Sequence, residues 1–564
     1  MNHMRIAAAC LAVLALVACK SGDKGEGPKD PTPGTAETTA AATATAKPAD
    51  RKERNARVFL RSLGEPEYLD PGLISESEGG IVTQDTFEGL YQYGPTHKEW
   101  LPGVAESHEV SPDGRTWTFR LRKDAKWSDG KPVTAHDFEW SWKRVLDPKT
   151  ASRYAGILWV IDGAREYNQN PDSDDEAKAT ALRDKVGVKA LDDSTLEVRL
   201  VAPTPYFLQL TAFYTYAPVP RHVVEQHGER WARPENIVSN GPWKVVEWTN
   251  NQQIVAEKNP HYWGADKLPF DKIIYRITQE NEPAHNMYLG NELDYLESKV
   301  PTTVLPKYFR ERFPDFEVSP YLGVYFYMFN VKKPPFDDVR VRQALNLAVD
   351  KEKVGKFVAK GGQEAAATIV HPGLEEMGYD APEGPEFDPD KARALLAEAG
   401  YPGGKGFPRV RISYNTLEAH KLIAEFIQQE WKKNLGVESD LDNMEWKVLL
   451  KKQHDRDFEV SRSSWIGDYL DPLTFLDLWE GDNPNNRTNW AHPEYDKLID
   501  DARNEADPDK RMAMLRQAEE IYIREMPSFP IYFYVKTDLV KPWLKGYQPH
   551  LQGVHPARYF RVEL

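Results

Sequence analysis

The chain has 564 residues, too many for one apolar core, so two or more lobes are expected. Lys and Arg number 72 against 87 Asp and Glu, a formal net charge of −15 that argues against a nucleic-acid partner, since phosphate binding needs clustered positive charge. With 40% hydrophobic and 28% charged residues, the composition is that of a soluble globular protein rather than a membrane transporter or a disordered chain.

The N-terminus reads as an export signal. Met1–Arg5 carries one firm positive charge, and Ile6–Val17 is apolar but shorter than the roughly 20 residues that span a bilayer. Leu16-Val17-Ala18-Cys19 resembles the lipobox of bacterial lipoproteins, which implies cleavage after residue 18 and lipid on Cys19. The other cysteine, Cys10, leaves with the signal, so the body can form no intrachain disulfide and no Cys-based metal site. Lys20–Asp50 contains no Ile, Leu, Val, Met, Phe, Trp or Tyr and cannot bury enough surface to offset its ordering entropy. A flexible tether of that length reaches ~30 Å. The expected location is therefore outside the cytoplasm, in the periplasm or on the cell surface, anchored to a membrane through Cys19.

From Val58 onward the pattern is globular, with no second linker. Thr116–Leu121 and Thr195–Leu200 alternate apolar and polar residues as half-buried strands do. Thr134-Ala135-His136-Asp137 predicts a capping box at a helix start. Asp338 or Asp337 can cap a helix carrying Val341, Leu345 and Ala348, after Pro334 and Pro335 have ended any strand. Asp388-Pro389 and Asp507-Pro508 each place a capping Asp ahead of a first-turn Pro, and Gly400 suits the end of the first of those helices. Interleaved strands and helices make the class α/β or α+β. Asp172–Glu176 looks like a calcium loop only superficially, lacking the turn Gly and the distant Glu, and reads better as a solvated acidic loop. No zinc-protease, phosphate-loop, dinucleotide or nucleophile-elbow motif occurs, so no catalytic, cofactor or metal residues are expected. The 16 Trp, 26 Tyr and 22 Phe are compatible with a ligand site built from rings.

The stretch Phe458–Tyr469 differs in character. Phe458 and Val460 predict a strand with Arg462 on the same face, broken by Gly467 and Pro472. A charge at the end of a buried strand is expensive unless it meets an opposite one. A turn at Gly467 would bring Arg462 and Asp468 to the span of a short peptide, Asp468 taking an α-ammonium and Arg462 a carboxylate. The residues alone equally allow an Asp that caps a turn and an Arg in a structural ion pair.

Blocks spread over residues 57–564 carry a resemblance. They are Leu69-Asp70-Pro71, Phe87-Glu88-Gly89-Leu90, Leu121–Phe138, Asn240-Gly241-Pro242-Trp243, Asn259–Trp263, Phe329-Asn330 and Pro335–Leu345. Together they resemble the family 5 solute-binding proteins of ABC importers, the oligopeptide- and dipeptide-binding lipoproteins. The resemblance implies a two-lobed fold of the type II periplasmic-binding kind, with a hinge and an additional third domain. It divides the chain into a signal (1–18), a lipidated linker (19–56), lobe I (57–88, 219–320 and 535–564), the extra domain (89–218) and lobe II (321–534).

The same resemblance implies the site. Asp468 holds the peptide's N-terminal ammonium, Trp465 and Trp446 line side-chain pockets, and Tyr154 of the extra domain closes over the ligand. Arg462 and His420 meet the C-terminus, and Ser464, Tyr321 and Ser77 join the peptide-binding set. Two departures concern the ligand's far end: Gln453 stands where some relatives carry a second Arg, and a family Lys falls near Ala359 and Lys360. A family acid falls around Ser75 and Glu76. The implied function is a non-enzymatic, monomeric receptor that delivers short peptides to the transmembrane subunits of a permease. Alternatives are another cargo on the same fold (nickel chelate, haem, cell-wall peptide or oligosaccharide) or, from another class, a secreted hydrolase.

Overall fold

The computed structural model describes residues 55–564 except Ser173, Thr302 and Pro484, and all of these residues belong to one compact unit. The expected signal, Cys19 and nearly all of the linker lie outside the described residues. Among the described residues, no helix is long and apolar enough to cross a membrane.

Local signals act where they stand in the chain. Asp388 and Asp507 accept hydrogen bonds from first-turn backbone N–H groups of the helices Pro389–Glu398 and Pro508–Glu525. Gly400, one residue beyond the cap of the first, takes φ 98°, a conformation that costs a glycine little. The Asp137 carboxylate accepts from the Thr134 N–H at 2.8 Å, fixing the start of the helix Ala135–Leu146, which buries Phe138 and Trp142. Asp338 caps Val339–Leu347, and Val341, Leu345 and Ala348 are buried as the periodicity predicts. In the acidic loop, Asp175 caps the exposed helix Glu176–Arg183, and Lys178 pairs with Asp172 at 3.0 Å.

Eleven strands form one mixed sheet. From one edge, five come from residues 316–540: Ser439–Met444, Val410–Asn415, Val460–Ile466, Phe316–Phe329 and Ser528–Val540. The next five come from residues 58–296: Tyr295–Leu296, Val58–Leu63, Lys272–Ile277, Gln253–Lys258 and Trp243–Thr249. Glu364–Ala365 pairs beside the path with Ser528–Val540. The predicted strand Thr116–Leu121 lies in a separate four-stranded antiparallel sheet with Ala105–Val110, Thr195–Arg199 and Val188–Asp192.

The two long strands are the bridge between the halves. The expected boundaries at 320/321 and 534/535 fall inside Phe316–Phe329 and Ser528–Val540, and the register between these strands breaks between Pro320 and Val324. Side chains along the first strand alternate between cores: Tyr325, Tyr327 and Phe329 pack with Val341, Ile412 and Trp431, whereas Val324, Phe326 and Met328 pack with the larger cluster that contains Trp479. A buried ion network ties the halves at the seam. Glu297 accepts from Arg61 at 2.6 Å and from Lys536, joining strand Val58–Leu63 to strand Ser528–Val540.

Candidate functional site

Strand Val460–Ile466 positions the candidate site. It starts at Val460 rather than at Phe458, and Val460, Arg462 and Ser464 share one face while Trp465 lies on the other. On one side it pairs antiparallel with Phe316–Phe329 along its whole length, and the Gly467 N–H continues that ladder to the Leu322 carbonyl at 2.7 Å. On its other side, Val410–Asn415 pairs only at Val460 and Ser461. In an antiparallel ladder, alternate residues turn both main-chain groups to the same side. Given the Gly467 bond, the groups of Arg462, Ser464 and Ile466 point away from the partner strand, toward the open edge. The Arg462 carbonyl accepts there from the Gln453 amide at 2.8 Å. The edge beyond it, at Ser464 and Ile466, has no strand partner among the described residues.

Asp468 stands just past the strand end. Its carboxylate accepts from the Tyr154 hydroxyl at 3.1 Å and forms no ion pair among the described residues. Burial pushes its carboxyl up to about 6, with the Tyr154 hydrogen bond pulling the other way. The Asp468 charge is the leading reason that the Tyr154 hydroxyl is raised, and it adds to burial in raising Tyr93, Tyr214 and Tyr321. Four tyrosines from outside residues 321–534, or from their first residue, thus feel the charge of this carboxylate, and Tyr154 is the one hydrogen-bonded to it. Tyr154 itself is braced by Phe213, stacked at 5.8 Å. The Asp468 backbone is pinned as well: its N–H donates to Thr474 Oγ1 and its carbonyl accepts from Gln552. Asp468 thus caps no turn with its side chain.

Segments 89–218 and 321–534 meet around this point. The Leu470 N–H donates to Gln209 Oε1 at 2.8 Å, and Tyr206 stacks on Tyr469 with centroids 4.1 Å apart and planes 7° apart. Glu376 pairs with Lys98 and His97 at 2.9 and 3.2 Å.

Arg462 is buried, 6% exposed, and has no acid within ion-pair distance among the described residues. Its contacts are long: Asn415 at 3.4 Å, Ser464 at 3.4 Å and the Tyr534 hydroxyl at 3.3 Å, with the guanidinium 4.7 Å from the Tyr325 ring centroid. Its Nε has no hydrogen-bond partner among the described residues. Among the described residues, Arg462 therefore forms no structural ion pair. His420 lies close by, buried in the helix Glu418–Leu435, with its Nδ1 3.2 Å from the Tyr325 hydroxyl. Burial, then the Arg462 charge, lower its pKa to about 3. His420 is accordingly a neutral hydrogen-bonding group and not a second cation.

The remaining expected residues are more dispersed. Trp446 opens the helix Trp446–His454 and is 45% exposed, so it is no core residue. Trp465 is half-buried with its indole N–H unpartnered. Tyr321 lies near the register break, 5.0 Å from Lys536. Ser77 is exposed in the first turn of the helix Ser77–Thr86, and no hydrogen bond ties it to the others among the described residues. Glu76 is the cap of that helix, accepting from Glu67, Ser75 and Gly79 N–H groups. Lys360 is exposed and ends a helical turn with φ 58°. Sequence reasoning missed Tyr93, Tyr214, Gln209, Gln552, Tyr325 and Tyr534. The period-two tyrosines in Tyr325-Phe326-Tyr327 and Tyr532-Phe533-Tyr534 were the available signal for the last two. No cluster of three or more potential ligand side chains able to hold a metal occurs among the described residues.

A two-part sheet bridged by long strands, and opposite charges left unpaired among the described residues at the ends of one open strand edge, are the architecture of a solute-binding protein. The chain belongs to the bacterial extracellular solute-binding proteins, family 5, whose middle-region model matches residues 99–487. It is 40% identical over 494 residues to the oligopeptide-binding protein OppA of Bacillus subtilis, covering 86% of this chain and 88% of that one. Among solved structures it is similar to the murein tripeptide binding protein MppA of Escherichia coli, with a TM-score of 0.78 and 34% identity over 90% of this chain and 98% of that one. It is also similar to Haemophilus influenzae OppA in complex with RPPGFSPFR, with a TM-score of 0.77 and 32% identity over 90% and 99% of the two chains. The fold is thus that of the periplasmic binding proteins, as the sequence blocks imply. Family and relatives are extracytoplasmic binding proteins, not enzymes.

Proposed function

We propose that this chain captures short peptides in the space between residues 321–534 and the segments facing them, and delivers them to the transmembrane subunits of an ABC importer. The carrying observation is Asp468, an enclosed carboxylate without a cation among the described residues, at one end of an open strand edge whose other end holds Arg462, a buried cation without an acid among them. Leaving such charges unpaired costs several kcal/mol each, which a bound zwitterion offsets. The peptide lies as an added strand, with Ser464 and Ile466 main-chain groups giving sequence-independent hydrogen bonds. Roomy pockets with ordered water tolerate varied side chains. Relatives named for oligopeptides, and one solved with a peptide, support this reading. The two long strands with their register break serve as the hinge between lobes I and II, 89–218 being the extra domain.

Calorimetry on four combinations tests the site. Asp468→Asn is expected to weaken peptides with a free N-terminus by about two to three powers of ten. N-acetyl peptides bind poorly to the unaltered protein and lose far less on mutation, because the charge to be matched is already gone. Additive losses without coupling sink the assignment. The lipobox supports membrane residence through lipid on Cys19, the two acyl-type signals that a soluble body needs for stable anchoring. Cys19→Ser should then shift the protein from the membrane to the soluble or unprocessed fraction, and equal fractionation of both forms rejects the anchor.

A further inference from the structure

Residues 467–471 lie outside both helix and strand, between the strand Val460–Ile466 and the helix Leu473–Leu476. Both ends of this span are tied within residues 321–534. The Gly467 N–H donates to the Leu322 carbonyl at 2.7 Å, and Asp471 takes both arms of Arg511 at 2.6 and 2.8 Å. The middle is tied elsewhere. Three successive residues, Asp468, Tyr469 and Leu470, each meet the segment 89–218: through the Tyr154 hydroxyl at 3.1 Å, the Tyr206 ring at 4.1 Å between centroids, and Gln209 Oε1 at 2.8 Å.

Tyr206 and Gln209 come from one braced turn. Tyr206 directly precedes the short helix Phe207–Leu210, and the three-residue spacing puts Tyr206 and Gln209 on one side of it. Phe207, fully buried, instead sets its ring across Trp117 of the four-stranded sheet, with centroids 5.3 Å apart and planes at 65°. The Tyr206 hydroxyl makes no hydrogen bond among the described residues, so the ring itself carries the contact with Tyr469. A parallel stack fixes the plane of residue 469, and the Gln209 bond fixes the peptide unit that follows it. Together they restrict how far the carboxylate of residue 468 can swing. Direction matters because a charge-assisted hydrogen bond is directional: a carboxylate turned off its line loses an ammonium though its charge is unchanged.

We propose that Tyr206 and Gln209 are positioning residues for the ligand's ammonium. By docking on residues 469 and 470 they aim the Asp468 carboxylate, so that docking of the segment 89–218 and recognition of a free N-terminus are one coupled event. The proposal deepens the peptide-receptor reading and rests on it. Coupling is reciprocal: an ammonium on Asp468 tightens the dock by the factor by which the dock tightens the ammonium. The pairing of Glu376 with Lys98 and His97 joins the same two segments without residues 468–470. It supports closure alone, whichever N-terminus the ligand carries.

Calorimetry with one tripeptide, free and N-acetylated, tests this on Tyr206→Ala, Tyr206→Phe, Gln209→Ala and Glu376→Gln. Tyr206→Ala is expected to weaken the free peptide about tenfold, the worth of a stacked aromatic pair, and the acetylated one by less than about threefold. Gln209→Ala follows the same pattern at about fivefold, the worth of one hydrogen bond. Tyr206→Phe keeps the ring and stays within about a factor of two of the unaltered protein. Glu376→Gln weakens both peptides by the same factor. In the Asp468→Asn background, Tyr206→Ala costs the free peptide less than about threefold, because the group it aims is gone. Equal losses on free and acetylated peptides in Tyr206→Ala would reduce Tyr206 to a closure contact and overturn the proposal. A second measurement needs no variant: at saturation, exchange of the Leu470 N–H in the unaltered protein slows roughly tenfold more with the free than with the acetylated peptide. Equal protection by both also overturns the proposal. If the unaltered protein prefers the free peptide and Asp468→Asn abolishes that preference, the receptor reading stands whatever the dock variants do. Absence of the preference sinks both.

Discussion

Asp468 and Asp471 are three residues apart in the same segment, yet their surroundings are opposite. Asp471 receives both arms of Arg511, at 2.6 and 2.8 Å, and its backbone neighbours close the turn into helix Leu473–Leu476. Asp468 has a single hydroxyl from Tyr154, a segment distant in the chain, and no cation among the described residues. The first is a completed pair that holds the loop, and Arg511 also lies 6.0 Å from the centroid of Tyr206, at the contact with Tyr469. The second is half a pair. Burial makes every charge costly, so the difference between the two is whether the described residues supply the counter-charge.

Three measurements can break or sharpen this contrast. The largest effect is expected at Asp471: Asp471→Asn leaves Arg511 buried and unpaired, costing about 3–5 kcal/mol of stability in denaturant unfolding. A loss below that of an ordinary surface substitution would put Asp471 in the same class as Asp468. Next, Asp468→Asn should stabilise the ligand-free protein at pH 8 by about 3 kcal/mol. The sign follows from its carboxyl being raised from 3.8 to about 6. Such a group favours the fold fully below its unfolded pKa, and that contribution disappears as pH rises through about 6. The ligand-free protein therefore loses stability at this site between pH 4 and 8, and the Asn variant does not. A variant less stable than its parent at pH 8 contradicts the unpaired state. The smallest effect is on binding. Because the ammonium needs the carboxylate, a proton competes below about pH 6, and lowering the pH from 7 to 5 should weaken free-N-terminus peptides roughly tenfold. Asp468→Asn should remove that dependence, and a residual slope of equal size would assign it to another group.

Much of this was legible in the chain. Thr134, Asp338, Asp388 and Asp507 start helices because capping is chemistry between residues two or three apart. The motif blocks identified the family because they recur in order. Arg462 and Asp468 were visible as charges at a strand end, but whether they were paired was not. Partners for Asp468 lie at Tyr154 and for the seam acid Glu297 at Arg61 and Lys536, separated by hundreds of residues. His420 reads as an ordinary polar helix residue until Tyr325 and Arg462 close over it and hold it neutral.

The sequence by itself determined the α/β class, the helix starts and the family, all of which depend on neighbours in the chain. Only the tertiary structure decided which enclosed charges are completed and which are left without a counter-charge among the described residues. Arg511 reaches Asp471 across 40 residues, while Asp468 and Arg462 face none of the described opposite charges at ion-pair distance. Counter-ions are assigned by proximity in space, and in a low-dielectric interior a separation of a few ångströms decides whether a charge is scaffold or site.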